Sequence, residues 1–534
     1  MSKDESDPLL GLVATKRPSA LKETPRLAAN DLESVIEKRP RIRHPHQFEI
    51  KLRYALPEEQ ARTIYDLAVY FFLPPSLGIN RADYGKGMFY RDLQSYIRLK
   101  TPEVFFPDIP RGDSGPLSRL NAAALRLPGD SSDRAVRLYE YQSKLFCCVL
   151  ESSLREYVER VETASDPALR NRLMDAYRIA VMSVRSTYAA LGPKLHHPAM
   201  PHSVQTMYRF TDEYISLLLE EYTCRVIAAA PTDESGESLR AKLVVLVERE
   251  IAHRKAEHYP SVADPSSDNE GFVYRRGVLK KYMNGALFLS AHSDDGGRFL
   301  EEGLFGVAAG VAMVFATAVL FISTQLYGSL TGPVFFALVI SYIFKDRIKE
   351  RMRLYLSRKA SRWLFDIKTI LHASPKDRIG VCNESVDFLD ANMVPAPVAA
   401  VRNRAHITEV EGGWVGERAI RYRKHVKLYP VRIADIYDGA GIHGVNDILR
   451  FSVEEFVRNI GATDTPVHSL VDDKVSLIQG DRVHHLNVIV RYATDGEDGF
   501  QRYRIVLNRN GIKRIETVPS SESDNTESSS EPWQ

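Results

Sequence analysis

The chain has 534 residues, of which 44% are hydrophobic and 26% are charged, and its formal net charge is +2. These averages are typical of a soluble protein with about three or four domains, and they exclude collagen, a wholly disordered chain and a polytopic transporter. The nearly neutral charge gives no reason to expect nucleic-acid binding. Four cysteines without a CxxC motif exclude a disulfide scaffold and a zinc ribbon, and they favour a reducing compartment.

Residues 1–45 are polar, contain proline and lack a sustained hydrophobic period, so we expect a disordered N-terminal tail. They also lack the continuous apolar stretch of a cleaved signal peptide. A short basic patch at residues 38–46 is interpreted as a solvated linker, with contact to lipid or nucleic acid as the alternative.

Residues 46–290 are predicted to form a mainly helical cytoplasmic domain with one leading strand. Apolar residues alternate with others from Phe48 to Leu56, which is typical of a half-buried strand. Several long helical stripes separated by short breaks then indicate an antiparallel bundle. The predicted helices lie at 57–72, Tyr90–Leu99, Phe146–Val161, Pro167–Leu191, Ser203–Ala229 and Ser238–His258.

Residues 303–344 are the local extreme of the sequence, because they include no Asp, Glu, Lys, Arg or His. A membrane helix needs about 20 apolar residues, so this run predicts a transmembrane hairpin with helices at about 304–323 and 326–344. The second span is the weaker one, because Pro333 either kinks it or begins a shorter helix. The alternative is a buried hairpin of a soluble protein, which seldom needs so long an uncharged stretch.

Small residues recur within the first predicted span, at Gly306, Ala308, Gly310, Ala312 and Ala316. Small side chains let helix backbones approach closely in lipid. We therefore predict membrane packing at these positions, against the second span. Contact between protomers of a homo-oligomer and the absence of any specific role are the alternatives.

Residues 345–375 are predicted to form a basic juxtamembrane helix. Positive charge collects on the cytoplasmic side of membranes, so both flanks of the hairpin, and with them both termini, are expected to be cytoplasmic in the cell (inner) membrane. The same side chains are candidates for contact with anionic lipid headgroups. The cations assigned to these roles are Lys345, Arg347, Lys349, Arg351 and Arg353.

Residues 376–518 are predicted to form a small α+β cytoplasmic domain with an antiparallel meander. Strand patterns occur at Ala419–Leu428, His485–Tyr492 and Arg502–Leu507, and a capping box predicts a short helix near Val453–Ile460. Asn510-Gly511 is the strongest turn signal. Residues 519–534 are rich in Ser and Glu, and we expect a disordered tail.

A glycine-rich segment and two histidine groups were considered as candidate sites. Residues 439–444 match GxGxxG after a strand-like segment at Val431–Tyr437, but the long helix and second βαβ unit of a dinucleotide site are missing, which favours a loop. His253 and His258 would point about 140° apart on a helix, and therefore do not share a metal. A second group lacks an acidic or cysteine partner, which argues against zinc; it comprises His196, His197 and His202.

The remaining candidate residues are also better explained by a structural role than by a catalytic or ligand-binding role. His484 and His485 open a strand and point to opposite faces, so one is expected in the core. The vicinal Cys147 and Cys148 lie in an apolar helical stretch, where inert buried thiols are the ordinary case. We therefore predict no cofactor and no metal, and the sequence assigns no catalytic residue.

The sequence favours an integral membrane protein whose biochemical activity is unknown. Its expected role is a membrane-anchored interaction, scaffold or signal-relay protein with both large domains in the cytoplasm. The lipid bilayer is the expected partner, with a homo-oligomer as a further option and no nucleic acid. The alternatives are a membrane-anchored enzyme with a site between the cytoplasmic domains and, less favoured, an oligomeric membrane pore.

Overall fold

A computed structural model describes residues 40–518 with internal gaps at 58, 80–82, 112–114, 199, 295, 329–330, 361–364, 375–376, 391–392, 404–417, 438–440, 459, 462–463, 472–473 and 495–496. The predicted disordered tails lie outside the described residues except for the end of the first, where Arg41–His44 forms a strand paired with the next strand rather than disordered chain. The chain combines β-strands from both of its halves with long helices from its first two thirds.

The strands are β1 (Arg41–His44), β2 (Gln47–Ala55), β3 (Thr63–Leu73), β4 (Leu93–Leu99), β5 (Ser290–Asp294), β6 (Ile367–Ser374), β7 (Asp377–Leu389), β8 (Arg418–Leu428), β9 (Gly444–Ser452), β10 (Asp464–Val471), β11 (Lys474–Asp481), β12 (His484–Thr494), β13 (Glu497–Asn508) and β14 (Gly511–Val518).

The first eight helices are α1 (Lys86–Asp92), α2 (Pro116–Arg126), α3 (Asp133–Thr163), α4 (Pro167–Ala189), α5 (Gly192–Leu195), α6 (His202–Ala228), α7 (Glu234–Ala256) and α8 (Glu270–Asn284). The others are α9 (Gly296–Tyr327), α10 (Gly332–Ala360), α11 (Ala396–Arg402), α12 (Pro430–Ile436) and α13 (Glu454–Val457). Short 3₁₀ helices cover Pro75–Leu77 and Phe106–Asp108.

Two larger antiparallel sheets and a separate hairpin contain these strands. One sheet has the order β1-β2-β9-β4, and the other, with eight strands, has the order β14-β13-β12-β3-β8-β7-β6-β5. Among the described strands, β10 and β11 pair only with each other. Strand β3, from the N-terminal part of the chain, lies between β12 and β8 from the C-terminal part.

The two larger sheets pack face to face over one hydrophobic core. Phe71 of β3 meets Phe451 of β9 with 4.7 Å between ring centroids. Tyr54 of β2 stacks on Tyr65 of β3 at 3.7 Å. Each strand alternates inward and outward side chains, so that such inward residues interdigitate between the sheets. The result is a β-sandwich that draws its strands from both ends of the chain.

The long helices form a bundle with its own core, in which α6 contacts α3, α7 and α8. Their starts follow from local chemistry, because Asp166 and Asp233 cap α4 and α7 by accepting backbone N–H groups. Helix α3 belongs to both units. Its Cys148 lies in the sandwich core, whereas its Leu150 lies in the bundle core.

The structure confirms the helical N-terminal part and the antiparallel C-terminal sheet, including the consecutive strands β12, β13 and β14. The leading strand from Phe48 is also confirmed as β2. The sheet order additionally joins β2, β3 and β4 to strands that the sequence analysis assigned to a separate domain at residues 376–518. Pairing between distant segments is not visible in local periodicity.

Four local predictions are wrong. The helix expected through Phe72 is strand β3, and the helix expected over Tyr90–Leu99 is α1 followed by β4. The juxtamembrane helix expected over residues 345–375 ends at Ala360 and is followed by β6, and the strand-like Val431–Tyr437 is helix α12. In β3 most residues are buried on both faces, so the alternation that distinguishes a strand is missing.

Candidate functional site

Helix α9 is the one described helix that is long and apolar enough to cross a membrane, over Phe305–Tyr327. This stretch has 23 residues and a mean hydropathy of 2.4, and only 11% of its most apolar part is buried. At roughly 1.5 Å per residue it is about 34 Å long, against about 30 Å for a hydrocarbon core. The side chains of this stretch are therefore mostly apolar, and other parts of the described protein cover few of them.

The exposed side chains of α9 include large apolar groups along its length. Val314 and Leu326 are each 70% exposed, and Phe321 is 64% exposed. A soluble monomer rarely exposes a contiguous apolar surface of this extent, which marks a site for a membrane or another protein. Other exposed apolar residues of the helix are Val307, Val311, Met313, Phe315, Leu320 and Ile322.

Helix α10 packs along α9, and the contact divides the predicted small residues between two faces. Ala308 and Ala312 are buried, and Ala316 is half-buried. Gly306 and Gly310 are exposed, with no other part of the described protein close to the position of an added Cβ. Residues two positions apart on a helix point about 200° apart, which explains why the glycines and alanines separate.

Helix α10 does not itself meet the length and composition of a span, because charge begins at Lys345. Its uncharged part, residues 332–344, is about 20 Å long at roughly 1.5 Å per residue. Arg353 lies over the ring of Phe305, with 4.2 Å to the ring centroid. The basic part of α10 therefore lies beside the beginning of the apolar stretch of α9.

The predicted basic residues are brought together on α10. Lys345 is half-buried, with its ammonium 3.9 Å from the ring centroid of Tyr342. Arg347, Lys349, Arg351 and Arg353 are exposed. Four of the five predicted basic side chains are therefore exposed on the surface of α10.

Two paired strands frame these helices. β5 ends at Asp294 just before α9 begins, and β6 begins at Ile367 shortly after α10 ends. The strands are antiparallel neighbours at the edge of the eight-stranded sheet, with Asp294 opposite Lys368. Neighbouring strands lie about 4.8 Å apart. The chain thus leaves the sandwich and returns to it at nearly the same place.

A polar cluster within the bundle surrounds Asp212 of α6. Its carboxylate lies 2.6 Å from Arg185 Nη1 and 2.6 Å from His253 Nε2, and Tyr259 donates a hydrogen bond to it at 3.0 Å. Burial alone raises the pKa of Asp212, but the hydrogen bond from His253 and the charge of Arg185 outweigh this effect and lower it. Asp212 of α6 is thus a buried anion that binds donors from α4, from α7 and from Tyr259 just after α7, which accounts for the position of His253 without a metal.

A second polar cluster lies between the two sheets. Lys424 of β8 is 2.6 Å from the carboxylate of Asp447 on β9, and both side chains are almost fully buried. Tyr65 donates to the other carboxylate oxygen at 3.3 Å, and Ser95 accepts from Lys424 at 2.8 Å. Burial raises the pKa of Asp447. Burial lowers the pKa of Lys424, but the adjacent carboxylate outweighs it and raises the pKa.

Neither Lys424 nor Asp447 was predicted from the sequence. A signal for Lys424 is present, because Tyr422, Lys424 and Val426 share one face of a strand, and that face is otherwise apolar. Asp447 carries no comparable signal, since nothing local shows that β9 packs over β8. The contact between Lys424 and Asp447 can be predicted only once the packing of the two sheets is known.

The remaining sequence candidates are not assembled into a chemical site. Residues 439–440 of the glycine-rich segment lie outside the described residues, and Gly444 begins β9 rather than a helix. His484 is buried and bonded to Ser76 through Nδ1 at 2.7 Å. Cys147 and Cys148 are buried, and burial raises the pKa of both thiols. Within the described residues, no group of three His, Cys, Asp or Glu side chains is placed to hold a metal ion.

Comparisons with protein-family models, with curated proteins and with solved structures find no match for this chain. The functional interpretation therefore depends on the geometry of the chain itself, and α9 with its flanking elements is the feature that departs most from a soluble protein.

Proposed function

We propose that the chain is an integral membrane protein, anchored by a two-helix hairpin of α9 and α10, that carries the bundle and the sandwich on the cytoplasmic face of the cell (inner) membrane. We further propose a non-enzymatic role in interaction, scaffolding or signal relay. The observation that carries the anchor is the exposed apolar surface of α9. Each large apolar side chain left in water forgoes about 1.5–3 kcal/mol of burial, so many of them together require lipid or a partner.

The pairing of β5 with β6 supports an even number of crossings. Both strands belong to one sheet, and a sheet cannot extend through a bilayer unless it is closed into a barrel. The residues before α9 and after α10 must then lie on the same side of the membrane. A hairpin with two crossings satisfies this condition, and a single crossing does not.

The basic residues of α10 support the cytoplasmic orientation. Positive charge within short distances of a span favours the cytoplasmic side, and the linker between the two helices has no charge to oppose it. Arg347, Lys349, Arg351 and Arg353 are exposed beside the start of α9, where lipid headgroups would lie. They are proposed to bind anionic headgroups, and a homo-oligomer remains a second proposed partner for the exposed Gly306 and Gly310.

Topology reporters test the anchor and its orientation. Reporters placed after Gly271 and after Pro375 should both give cytoplasmic signals, and one placed after Gly328 should give a signal from the opposite side. Opposite signals at Gly271 and Pro375 would contradict the hairpin. A cytoplasmic signal at all three positions, with release of the protein by alkaline carbonate, would contradict the anchor itself.

The non-enzymatic role has its own test. The detergent-purified chain should show no saturable turnover across panels of small substrates, while affinity purification from cross-linked membranes should recover the same partner repeatedly. Saturable turnover that follows the purified protein through successive columns would instead establish the alternative of a membrane-anchored enzyme.

A further inference from the structure

Lys424 and Asp447 form a buried contact that spans the two sheets. Lys424 Nζ lies 2.6 Å from Asp447 Oδ1, and the side chains are 1% and 0% exposed. Lys424 belongs to the eight-stranded sheet and Asp447 to the four-stranded sheet. An amine and a carboxyl group are therefore held in contact, without access to bulk water, at the centre of the sandwich.

The surroundings of this pair are mostly aromatic and apolar. The ring of Tyr65, whose hydroxyl reaches Asp447, is stacked against Tyr54. Both tyrosines belong to the hydrophobic core between the sheets. The Asp447 carboxylate accepts hydrogen bonds from Tyr65 and Lys424, and Lys424 also donates to Ser95. A buried charge pair is costly to desolvate, so a reaction that removes both charges relieves this cost.

A second carboxyl group lies next to the pair. Glu384 of β7 is the direct cross-strand partner of Lys424. Directly opposite residues of an antiparallel pair have Cβ atoms about 4.5–5.5 Å apart. Tyr422 donates its hydroxyl proton to Glu384, and the same hydroxyl lies 3.3 Å from Oγ of Ser95, which also contacts Lys424. Glu384 is half-buried, and Tyr422 and Ser95 connect it to the enclosed amine.

We propose that Lys424 and Asp447 condense to form an intramolecular amide bond that links the two sheets covalently. One proton first moves from the ammonium group to the carboxylate, which converts the ion pair into a neutral amine and a neutral acid. The amine nitrogen then attacks Cγ of Asp447. The Nζ–Cγ bond forms, the bond from Cγ to its hydroxyl breaks, and one proton moves from the nitrogen to the departing hydroxyl, which leaves as water. Ser95 and Tyr422 connect the amine to Glu384, the carboxylate that assists this proton transfer.

The reaction is balanced as it stands. An ammonium and a carboxylate become an amide and one water molecule, nothing is oxidised or reduced, and no other reactant is needed. Well-oriented groups react as if at an effective concentration on the order of 10⁵–10⁸ M. The departing water leaves an apolar core, and this same core then shields the amide from hydrolysis.

Intact-mass measurement of the full-length protein tests the proposal. The native chain should be lighter than its sequence by one water molecule. A tryptic digest should contain residues 424–427 joined to residues 433–450, because trypsin does not cut after a lysine whose side chain is an amide. A native mass equal to that of the sequence refutes the proposal, as does a water loss that maps to other peptides.

Variants identify the reacting groups. Lys424→Met and Glu384→Gln should each show the full sequence mass, whereas Lys427→Arg, on the same strand, should keep the water loss and serve as the matched control. Circular dichroism establishes that each variant is folded before its mass is interpreted. A folded Lys424→Met variant that still loses water from the 433–450 peptide would overturn the assignment, and a folded Glu384→Gln variant that links as fast as the native chain would remove the proton relay.

Discussion

Replacing Val314 by lysine tests whether α9 lies in lipid or in water. Val314 is 70% exposed and lies near the middle of Phe305–Tyr327. Its side chain therefore reports the surroundings of the helix rather than its packing within the protein. The same substitution at Val245 of α7, which is 42% exposed, is the matched control on a helix of the bundle.

The expected size of the effect depends entirely on the solvent around the side chain. In water, an exposed substitution changes stability by about 0.5 kcal/mol or less, and lysine favours a helix slightly more than valine does. At the centre of a membrane helix, exchanging an apolar residue for lysine makes insertion less favourable by about 3–4 kcal/mol. This difference is a factor of about 10²–10³ in the insertion equilibrium.

Glycosylation of an acceptor placed after Gly328 measures this equilibrium in microsomes, because the acceptor is modified only when the linker between α9 and α10 crosses. We expect Val314→Lys to lower the ratio of modified to unmodified chain, while Val245→Lys leaves it unchanged. A Val314→Leu variant controls for side-chain size. Equal ratios for Val314→Lys and the unmodified sequence would place α9 in water and refute the reasoning from its exposed surface.

Three further predictions concern the folded parts, and denaturant or thermal unfolding of the detergent-solubilised protein checks each. Arg254→Met should destabilise the bundle by about 3–5 kcal/mol, because Arg254 is buried and paired with Glu220. The hydrogen bond that His425 donates to the Asp66 carboxylate raises the pKa of His425. This pair therefore stabilises the fold below about pH 6.5, and the stabilisation is lost as the pH rises through the raised pKa; Asp66→Asn should remove that dependence. Gly511→Ala should cost about 1–3 kcal/mol, because its φ of +117° disfavours a side chain; an unchanged midpoint would contradict this.

The sequence was sufficient for features that depend on local patterns. The charge-free run locates the apolar stretch of α9, Phe305–Tyr327, to within a few residues, and the long stripes locate α4, α6 and α7. Helices α4 and α7 bury one face each, so their period of 3.6 residues is preserved in the sequence. The strand β2 was found for the corresponding reason, with a period of two.

The sequence was not sufficient where an element is buried on both faces or paired with a distant segment. Strand β3 lies in the interior of the eight-stranded sheet, and its run of buried residues from Val69 to Leu73 fits a strand or a buried helix equally well. The Lys424–Asp447 contact lies across two sheets, so only the assembled sandwich brings the two side chains together. Both failures concern long-range packing rather than local preference.

The second span of the proposed hairpin is short because charge begins at Lys345 of α10. Arg353 lies over Phe305, so the helices run antiparallel with the basic turns of α10 beside the first turns of the apolar part of α9. Lys345 then lies well inside the length that α9 could span. Long basic side chains can reach the headgroups from such a depth, and a tilted helix brings them closer.

The difference in length between the apolar parts of α9 and α10 limits the orientation that the proposed hairpin can adopt in a membrane. If α9 crossed upright at full length, Lys345 and Arg347 would lie within the hydrocarbon, where each cation is costly. A hairpin tilted toward the side of α10, with the membrane locally thinned there, keeps α9 immersed and places these cations among headgroups. The β5–β6 pairing holds both helix ends at one sheet edge, so the tilt must be shared with the sandwich. In the proposed hairpin, the edge of the sandwich formed by β5 and β6 is therefore expected to lie close to the membrane surface. A flexible linker would instead allow the sandwich to move away from the membrane.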